Sequence, residues 1–261
     1  MTDYGTIRYA LADAVATITL ARPERLNAIV PAMLDELRQA LARVVDEGAR
    51  AVLIAGEGRA FCSGADLIAR SDGGLPDDLG AMLESQYNPL ALQLANLPIP
   101  VVTAVQGAAA GAGCSLALHG DFVVAAESAY FLLAFVNIGL VPDFGATWLV
   151  AKGAGRAKAL EMMLLGERVP AARALEWGLI YRVVADEMLL AEAEALAKRL
   201  AAGPTRAMGM IRRAVGRALV TTLPEVLAQE AVDQRAAGRT ADFAEGVMAF
   251  VGKRDARFVG K

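Results

Sequence analysis

Asp143 is the only charged residue in FLLAFVNIGLVPDFG, residues 131–145. Upstream, the small-residue segment GAAAGAGCS, residues 107–115, carries no acid at all. A single carboxylate in an uncharged setting suits chemistry that moves a proton with one base, and argues against chemistry that needs two acids. Its neighbours Val141, Pro142 and Phe144 are apolar. Burial among them is expected to raise the aspartate above its ordinary pKa of about 3.9 and match it better to a base's task. Pro-Asp ahead of a helix is also a common capping pattern. The residues alone therefore leave two readings of Asp143 open, a base or the N-cap of a helix starting near Gly145.

Two glycine-flanked loops each lead toward a helix, Phe61-Cys62-Ser63-Gly64-Ala65-Asp66 and Gly111-Ala112-Gly113-Cys114. Helix N-termini leave N–H groups unpaired, and their dipole favours negative charge. Two such groups converging on one point would make an oxyanion hole. The plainer alternative is a pair of tight turns in a crowded core. The only histidine, His119, follows the apolar run Leu-Ala-Leu and reads as structural. A His-rich zinc site is impossible, and no metal ligand set is expected. Cys62 and Cys114 are too few for a disulfide framework and read as reduced thiols. No GxGxxG follows a strand and no GxxxxGK[ST] occurs, so neither standard nucleotide-phosphate loop is present.

The elements that must position these residues follow from periodicity. Residues 4–20 alternate and are rich in β-branched side chains, which predicts a hairpin. Pro31–Glu47 has an apolar stripe at helical spacing, through Met33, Leu34, Leu37, Leu41, Val44 and Val45. RAVLIAG (50–56) and VVTAV (101–105) read as buried strands, with DFVVAA and AYFLL as further strands. ADLIAR (65–70) starts a helix, 71–80 reads as a mobile tract, and a long helix is expected over about 79–97. Gly107–Gly113 is expected to form a tight loop ahead of the apolar helix CSLALH. From 146 onward the chain reads as mostly helical, interrupted only by ALEWGLIYRVV.

The 261 residues suit one large domain or a core with a small appendage. Hydrophobic content is 56% and mean hydropathy +0.40, which implies extensive burial within the fold and between subunits. Net charge is −3 with no basic block, so nucleic acid is not expected as a partner. Residues 85–120 contain no Asp, Glu, Lys or Arg. A membrane span is rejected there because Asn88, Pro89, Gln93, Asn96, Pro98, Pro100 and Gln106 interrupt it. The start MTDYGTIRYA has no apolar run, so a cytoplasmic location is expected by default.

Four ordered motifs carry a resemblance over nearly the whole chain: RPERLNAI (22–29), AFCSGADL (60–67), PVVTAVQGAAAGAGCSLAL (100–118) and GLVPDFGATWL (139–149). Together they are similar to the crotonase, or enoyl-CoA hydratase/isomerase, superfamily. Within it, YNPLALQLANLP (87–98), AGRAKALEMMLLGE (154–167), EWGLIYRVV (176–184) and the C-terminal AGRTADFAEGVMAF and RFVGK look most like the phenylacetate-pathway epoxide isomerases. The resemblance implies an α/β (α+β) fold. Its core, over residues 1–200, would be a spiral ββα superhelix that binds acyl-CoA. Residues 201–261 would be a helical region that builds a homotrimer, or a dimer of trimers.

It also implies an acyl-CoA thioester substrate, with CoA as part of that substrate and no separate cofactor. The thioester oxygen would sit between the N–H groups of Ser63 and Ala112, the latter where the family usually has glycine. Arg22, Leu26 and Ala28 match the loop that holds pantetheine and phosphates. Ser63, Gly64, Ala65, Asp66 and Leu67 match the loop touching the adenine and thioester ends, and Gly111 lies in the second oxyanion loop. Asn88 and Phe135 would line the acyl pocket, with Glu84 and Tyr87 within reach of it. Phe258 and Lys261 fall where a tail can reach CoA, on the same or a neighbouring subunit. The two glutamates of the hydratases would fall at Ser115 and Phe135, and both are absent, whereas Asp143 matches the acid of the isomerase branch. The expectation is a one-base isomerase acting on 1,2-epoxyphenylacetyl-CoA or a 3-enoyl-CoA. Competing readings are a hydratase-like lyase, a thioester hydrolase and a non-catalytic acyl-CoA-binding protein. Dehalogenation would need a histidine at Asn88 and a tryptophan at Phe135.

Overall fold

The computed structural model describes residues 4–67 and 78–261. The N-terminal alternation forms a hairpin of β1 (Ile7–Ala12) and β2 (Val15–Leu20), with Ile7 opposite Leu20. Its two-residue turn, Asp13-Ala14, has both φ angles positive, as the twist of adjacent strands requires. Helix α1 (Pro31–Arg43) opens on a proline and buries Met33, Leu34, Leu37, Ala40 and Leu41. Strand β3 (Ala51–Gly56) follows.

The stretch expected as one helix over 79–97 is three pieces. These are α2 (Leu79–Met82), a π-turn (Leu83–Tyr87) and α3 (Asn88–Asn96). Asp78 caps it by accepting from the Ala81 N–H at 3.0 Å, so the end of the tract read as mobile is an ordered helix start. The rest of that tract, and most of the helix expected at 65–70, lie outside the described residues.

Next come β4 (Val101–Val105), β5 (Ala108–Ala110), α4 (Ala112–Leu118), β6 (Phe122–Ala126) and β7 (Tyr130–Leu132). The loop expected over Gly107–Gly113 therefore contains a strand. Three alanines have little strand propensity. Pairing with Tyr130–Leu132 on one side and Cys62 on the other imposes the extended form. A short 3-10 helix (Ala134–Ile138) leads to α5 (Ala146–Gly153) and α6 (Gly155–Leu165). The C-terminal part contains β8 (Val169–Pro170), α7 (Ala171–Glu176), β9 (Arg182–Val184), α8 (Leu189–Ala201), α9 (Thr205–Ala218), α10 (Leu223–Ala237) and α11 (Ala241–Val251).

The large sheet runs β1-β2-β3-β4-β6-β9, parallel except for the hairpin, and the small sheet runs β5-β7-β8. Successive passes place one strand in each sheet, β4 then β5, β6 then β7, which gives the spiral of ββα turns. Central strands of such a sheet are covered on both faces and read as unbroken apolar runs. The VVTAV of β4 is fully buried. Every residue of α4 is buried as well, which is where the charge-free stretch goes. No described helix is long and apolar enough to cross a membrane.

Helix α9 docks on this core through a glycine and an arginine. A Cβ at Gly209 would sit 2.3 Å from the Pro98 carbonyl oxygen, so only glycine permits the approach. Arg212 donates to Asp121 (2.7 Å) and to the carbonyls of Leu94 (2.7 Å) and Leu97 (2.6 Å), closing the C-terminus of α3. Elsewhere α9, α10 and α11 expose much apolar surface, including Ile211, Val215, Leu227 and Phe250. Arg212→Ala would strand Asp121 and the carbonyls of Leu94 and Leu97. It should lower stability by about 2–4 kcal/mol in denaturant titrations. A change under half that would mean water replaces the guanidinium.

Candidate active site

Two backbone segments run side by side at the mouth of a cavity of about 470 Å³. Cys62 N–H donates to Ala108 O and Ala110 N–H donates to Cys62 O, so the chain after β3 lies parallel to β5. The approach tightens further along. A Cβ on Gly64 would meet the Ala110 carbonyl oxygen at 2.8 Å, and Gly64 has φ +95°. Gly111, at φ 52° and ψ −130°, adopts a conformation that side chains resist.

Trans peptides fix where the amides point, because the C=O and N–H of one unit face opposite ways. The Gly64 carbonyl accepts from Ile29 N–H at 2.7 Å, so the Ala65 N–H faces away from Ile29. The Gly111 carbonyl accepts from the Cys114 and Ser115 amides inside α4. The Ala112 N–H therefore points out of the helix N-terminus. Ala65 and Ala112 both line the cavity, and among the described residues neither amide has an acceptor. The Ser63 N–H, expected as an oxyanion donor, is instead bonded to the Leu26 carbonyl at 3.0 Å. Ser63 lines the cavity, but the amide of this segment that has no acceptor among the described residues is that of Ala65, two residues later.

The cavity walls are largely apolar, with Leu79, Met82, Leu83, Phe135 and Leu140 among them. Asp143 is its only carboxylate among the described lining residues. It stands half-buried on the turn before α5, between Pro142 and the fully buried Phe144. The Asp143 carbonyl accepts from Ala146 N–H, but no side-chain cap of α5 is formed, so the N-cap reading fails.

The enoyl-CoA hydratase/isomerase family model matches residues 11–261. A 1,2-epoxyphenylacetyl-CoA isomerase of Escherichia coli K12 is 48% identical over 250 residues, 95% of each chain. A probable enoyl-CoA hydratase of Rhodobacter capsulatus is 45% identical, covering 99% of this chain and all of that one. A solved putative enoyl-CoA hydratase of Streptomyces coelicolor superposes with a TM-score of 0.94 at 34% identity, covering 100% of this chain and 96% of that one. The chain belongs to the enoyl-CoA hydratase/isomerase family.

The crotonase spiral of this family distributes the remaining expected residues unevenly. Gly64, Leu67, Gly111 and Phe135 line the cavity with Ser63, Ala65 and Ala112. Arg22, Leu26, Ala28 and Asp66 form the layer behind it. Arg22 pairs with Asp66 at 3.0 Å and also donates to the Ala28 carbonyl, so both charges brace the loop rather than face the cavity. Asn88 is exposed and outside the cavity. The π-turn widens the helix by one residue, so the inward position falls on Tyr87, which is buried and lines the site, while Glu84 stays exposed. Phe258 and Lys261 are not among the residues that line the cavity of their own chain. The tail folds back on α11: Asp242 accepts from Val259 N–H (2.7 Å) and Gly260 N–H (2.9 Å), and donates its own N–H to Lys261 O. Burial pushes both cysteine thiols up to about 12, so they are packing groups and not nucleophiles.

Gly64→Ala would combine a left-handed φ with a clash against the Ala110 peptide. It should cost about 2–4 kcal/mol and lower turnover with it. Gly48→Ala has the same kind of φ, +89°, but open space around it. Its cost should be only about 1 kcal/mol, with activity intact. Equal melting temperatures for the two variants would mean that the close approach is not enforced.

Proposed function

We propose that this chain is a CoA-thioester isomerase in which Asp143 shuttles one proton and the amides of Ala65 and Ala112 hold the thioester oxygen. One observation carries the reading: the cavity bearing those two amides has Asp143 as its single carboxylate among the described residues. For a 3-enoyl-CoA, the carboxylate takes the proton from C2, the double bond shifts to C2–C3, and the proton returns at C4. The negative charge formed between these steps rests on the thioester oxygen, where each well-placed donor is worth about 10²–10³ in rate. For 1,2-epoxyphenylacetyl-CoA, the same donors accept charge drawn toward the thioester as the epoxide opens to an oxepin. The apolar walls and the similarity to a 1,2-epoxyphenylacetyl-CoA isomerase favour this second ester. CoA enters as part of the substrate, and the scheme calls for no further cofactor or metal.

Hydration fits less well, although several relatives are named hydratases. It needs one group to activate water and another to manage the α-proton. Ser115 and Phe135 offer no second acid; the Ser115 hydroxyl is turned toward the Asp143 carbonyl, at 3.1 Å, and the Phe135 ring is apolar. A soluble cytoplasmic enzyme is the setting this implies. Asp143→Asn should bind acyl-CoA normally and lose about 10²–10⁴ in turnover on both esters. The conjugated thioester is followed by absorbance and the oxepin product by chromatography. Wild-type rates in the variant would sink the one-base scheme.

The apolar faces of α9, α10 and α11 support assembly as a homotrimer or dimer of trimers through residues 201–261. Exposed apolar patches this continuous are characteristic of subunit contacts. Light scattering should give three or six times the 27.3 kDa chain mass. A monomer at micromolar concentration would overturn this assembly.

A further inference from the structure

A base is useful only if its carboxylate is held at a fixed distance from the donors that stabilise its product. The turn that carries Asp143 is not one the backbone adopts readily. Phe144 has φ +51° and Gly145 φ +80°, two successive left-handed residues, the first with a bulky side chain. Such a conformation persists only where the surroundings over-determine it.

Those surroundings are one face of α4 and the ring of Tyr87. The Ser115 hydroxyl donates to the Asp143 carbonyl at 3.1 Å; its alternative acceptor, the Gly111 carbonyl, is farther, at 3.4 Å. His119 Nε2 lies 3.1 Å from the Phe144 carbonyl oxygen. A carbonyl can only accept, so Nε2 carries the proton and donates it. Burial pushes the imidazole down to about 4, the Phe144 carbonyl opposing and Arg212 reinforcing the shift. At neutral pH the ring is therefore an uncharged donor. The His119 and Phe144 rings lie 5.1 Å apart, and Tyr87 meets Phe144 edge-on at 5.7 Å. Two consecutive carbonyls, those of Asp143 and Phe144, are thus fixed from the same helix.

Ala112, Ser115 and His119 stand at i, i+3 and i+7, which is one helical face. The helix whose first amide points into the cavity also carries, along that face, both side chains that grip the turn bearing the acid. We propose that Ser115 and His119 are positioning residues that lock the Asp143 carboxylate in register with the N-terminus of α4. This rests on the reading of Asp143 as the base.

The test compares Ser115→Ala, His119→Leu, His119→Gln and Asp143→Asn with the wild type. Each is assayed for kcat and KM on a 3-enoyl-CoA and on 1,2-epoxyphenylacetyl-CoA. Melting temperature is recorded, together with calorimetric affinity for the unreactive phenylacetyl-CoA. Ser115→Ala and His119→Leu should each lower kcat about 10- to 100-fold, with KM and phenylacetyl-CoA affinity within about twofold. His119→Gln keeps an N–H donor and should recover most of kcat. If Asp143→Asn is inactive while Ser115→Ala and His119→Leu turn over like the wild type, positioning is wrong and the base stands. If Asp143→Asn is fully active, both readings fall. Parallel losses of kcat, ester affinity and melting temperature, with no recovery in His119→Gln, would reduce both residues to ordinary packing and overturn the proposal.

Discussion

The close approach of two peptide units, Gly64–Ala65 and Gly111–Ala112, is the constraint on which the rest of the structure depends. A side chain on Gly64 would occupy the space of the Ala110 carbonyl, and one on Gly113 would lie 2.4 Å from the Cys62 carbonyl. Around these glycines the sequence is almost all alanine, cysteine and serine, the residues that let backbones meet. The small sheet exists because of this contact: Ala108–Ala110 is extended only because Cys62 and β7 pair with it on either side. Arg22 and Asp66, Asn27 and the carbonyls it binds, and the Ser63–Leu26 bond all brace the outer loop so that one amide remains free to face the cavity.

The uncharged stretch 85–120 has an electrostatic meaning beyond core packing. A helix N-terminus carries a partial positive charge that attracts any nearby acid. An aspartate or glutamate at the start of α4 would occupy the Ala112 amide before a substrate could. Keeping that end apolar and buried preserves an unsatisfied donor at an energetic cost, which the tertiary fold bears. Arg22 and Asp66, the ion pair that braces the outer loop, offset each other's charge.

Much of this was legible in the sequence, and the failures share a cause. Periodicity found the hairpin, α1, the buried strands and the apolar helix at 114–119, because those signals are local. The motifs pointed to the two segments whose amides face the cavity and to Asp143, which lines it. They did not tell Ser63 from Ala65, since which amide remains free depends on Leu26 and Ile29, more than thirty residues away. Asn88 was expected in the pocket and Tyr87 only within reach of it, because one residue of π-turn shifts the inward face, and no residue type marks such a turn. The C-terminal tail was expected to reach CoA on the same or a neighbouring subunit, and within its own chain it packs on the last helix. Asp242 binds it back onto α11, a contact that hydropathy cannot reveal. His119, read as structural, is structural in a specific sense: its partner is the turn that carries the acid.

On the proposed one-base scheme, the inventory of protons within the cavity would separate this chain from enzymes that add water. A proton shuttle of one carboxylate conserves its own charge state over a cycle: it leaves with the proton it removed and returns it to the same molecule. Water addition requires a second group to take the proton from the nucleophile while the first supplies one to carbon. At the two positions where the resemblance would put those groups, one side chain is an aromatic wall and the other a hydroxyl aimed at a backbone carbonyl. Neither can ionise near neutral pH. On the proposed scheme, apolar walls such as Phe135, Leu83 and Met82 would serve an isomerase twice, by strengthening each hydrogen bond to a developing oxyanion and by keeping a transferred proton from exchanging away.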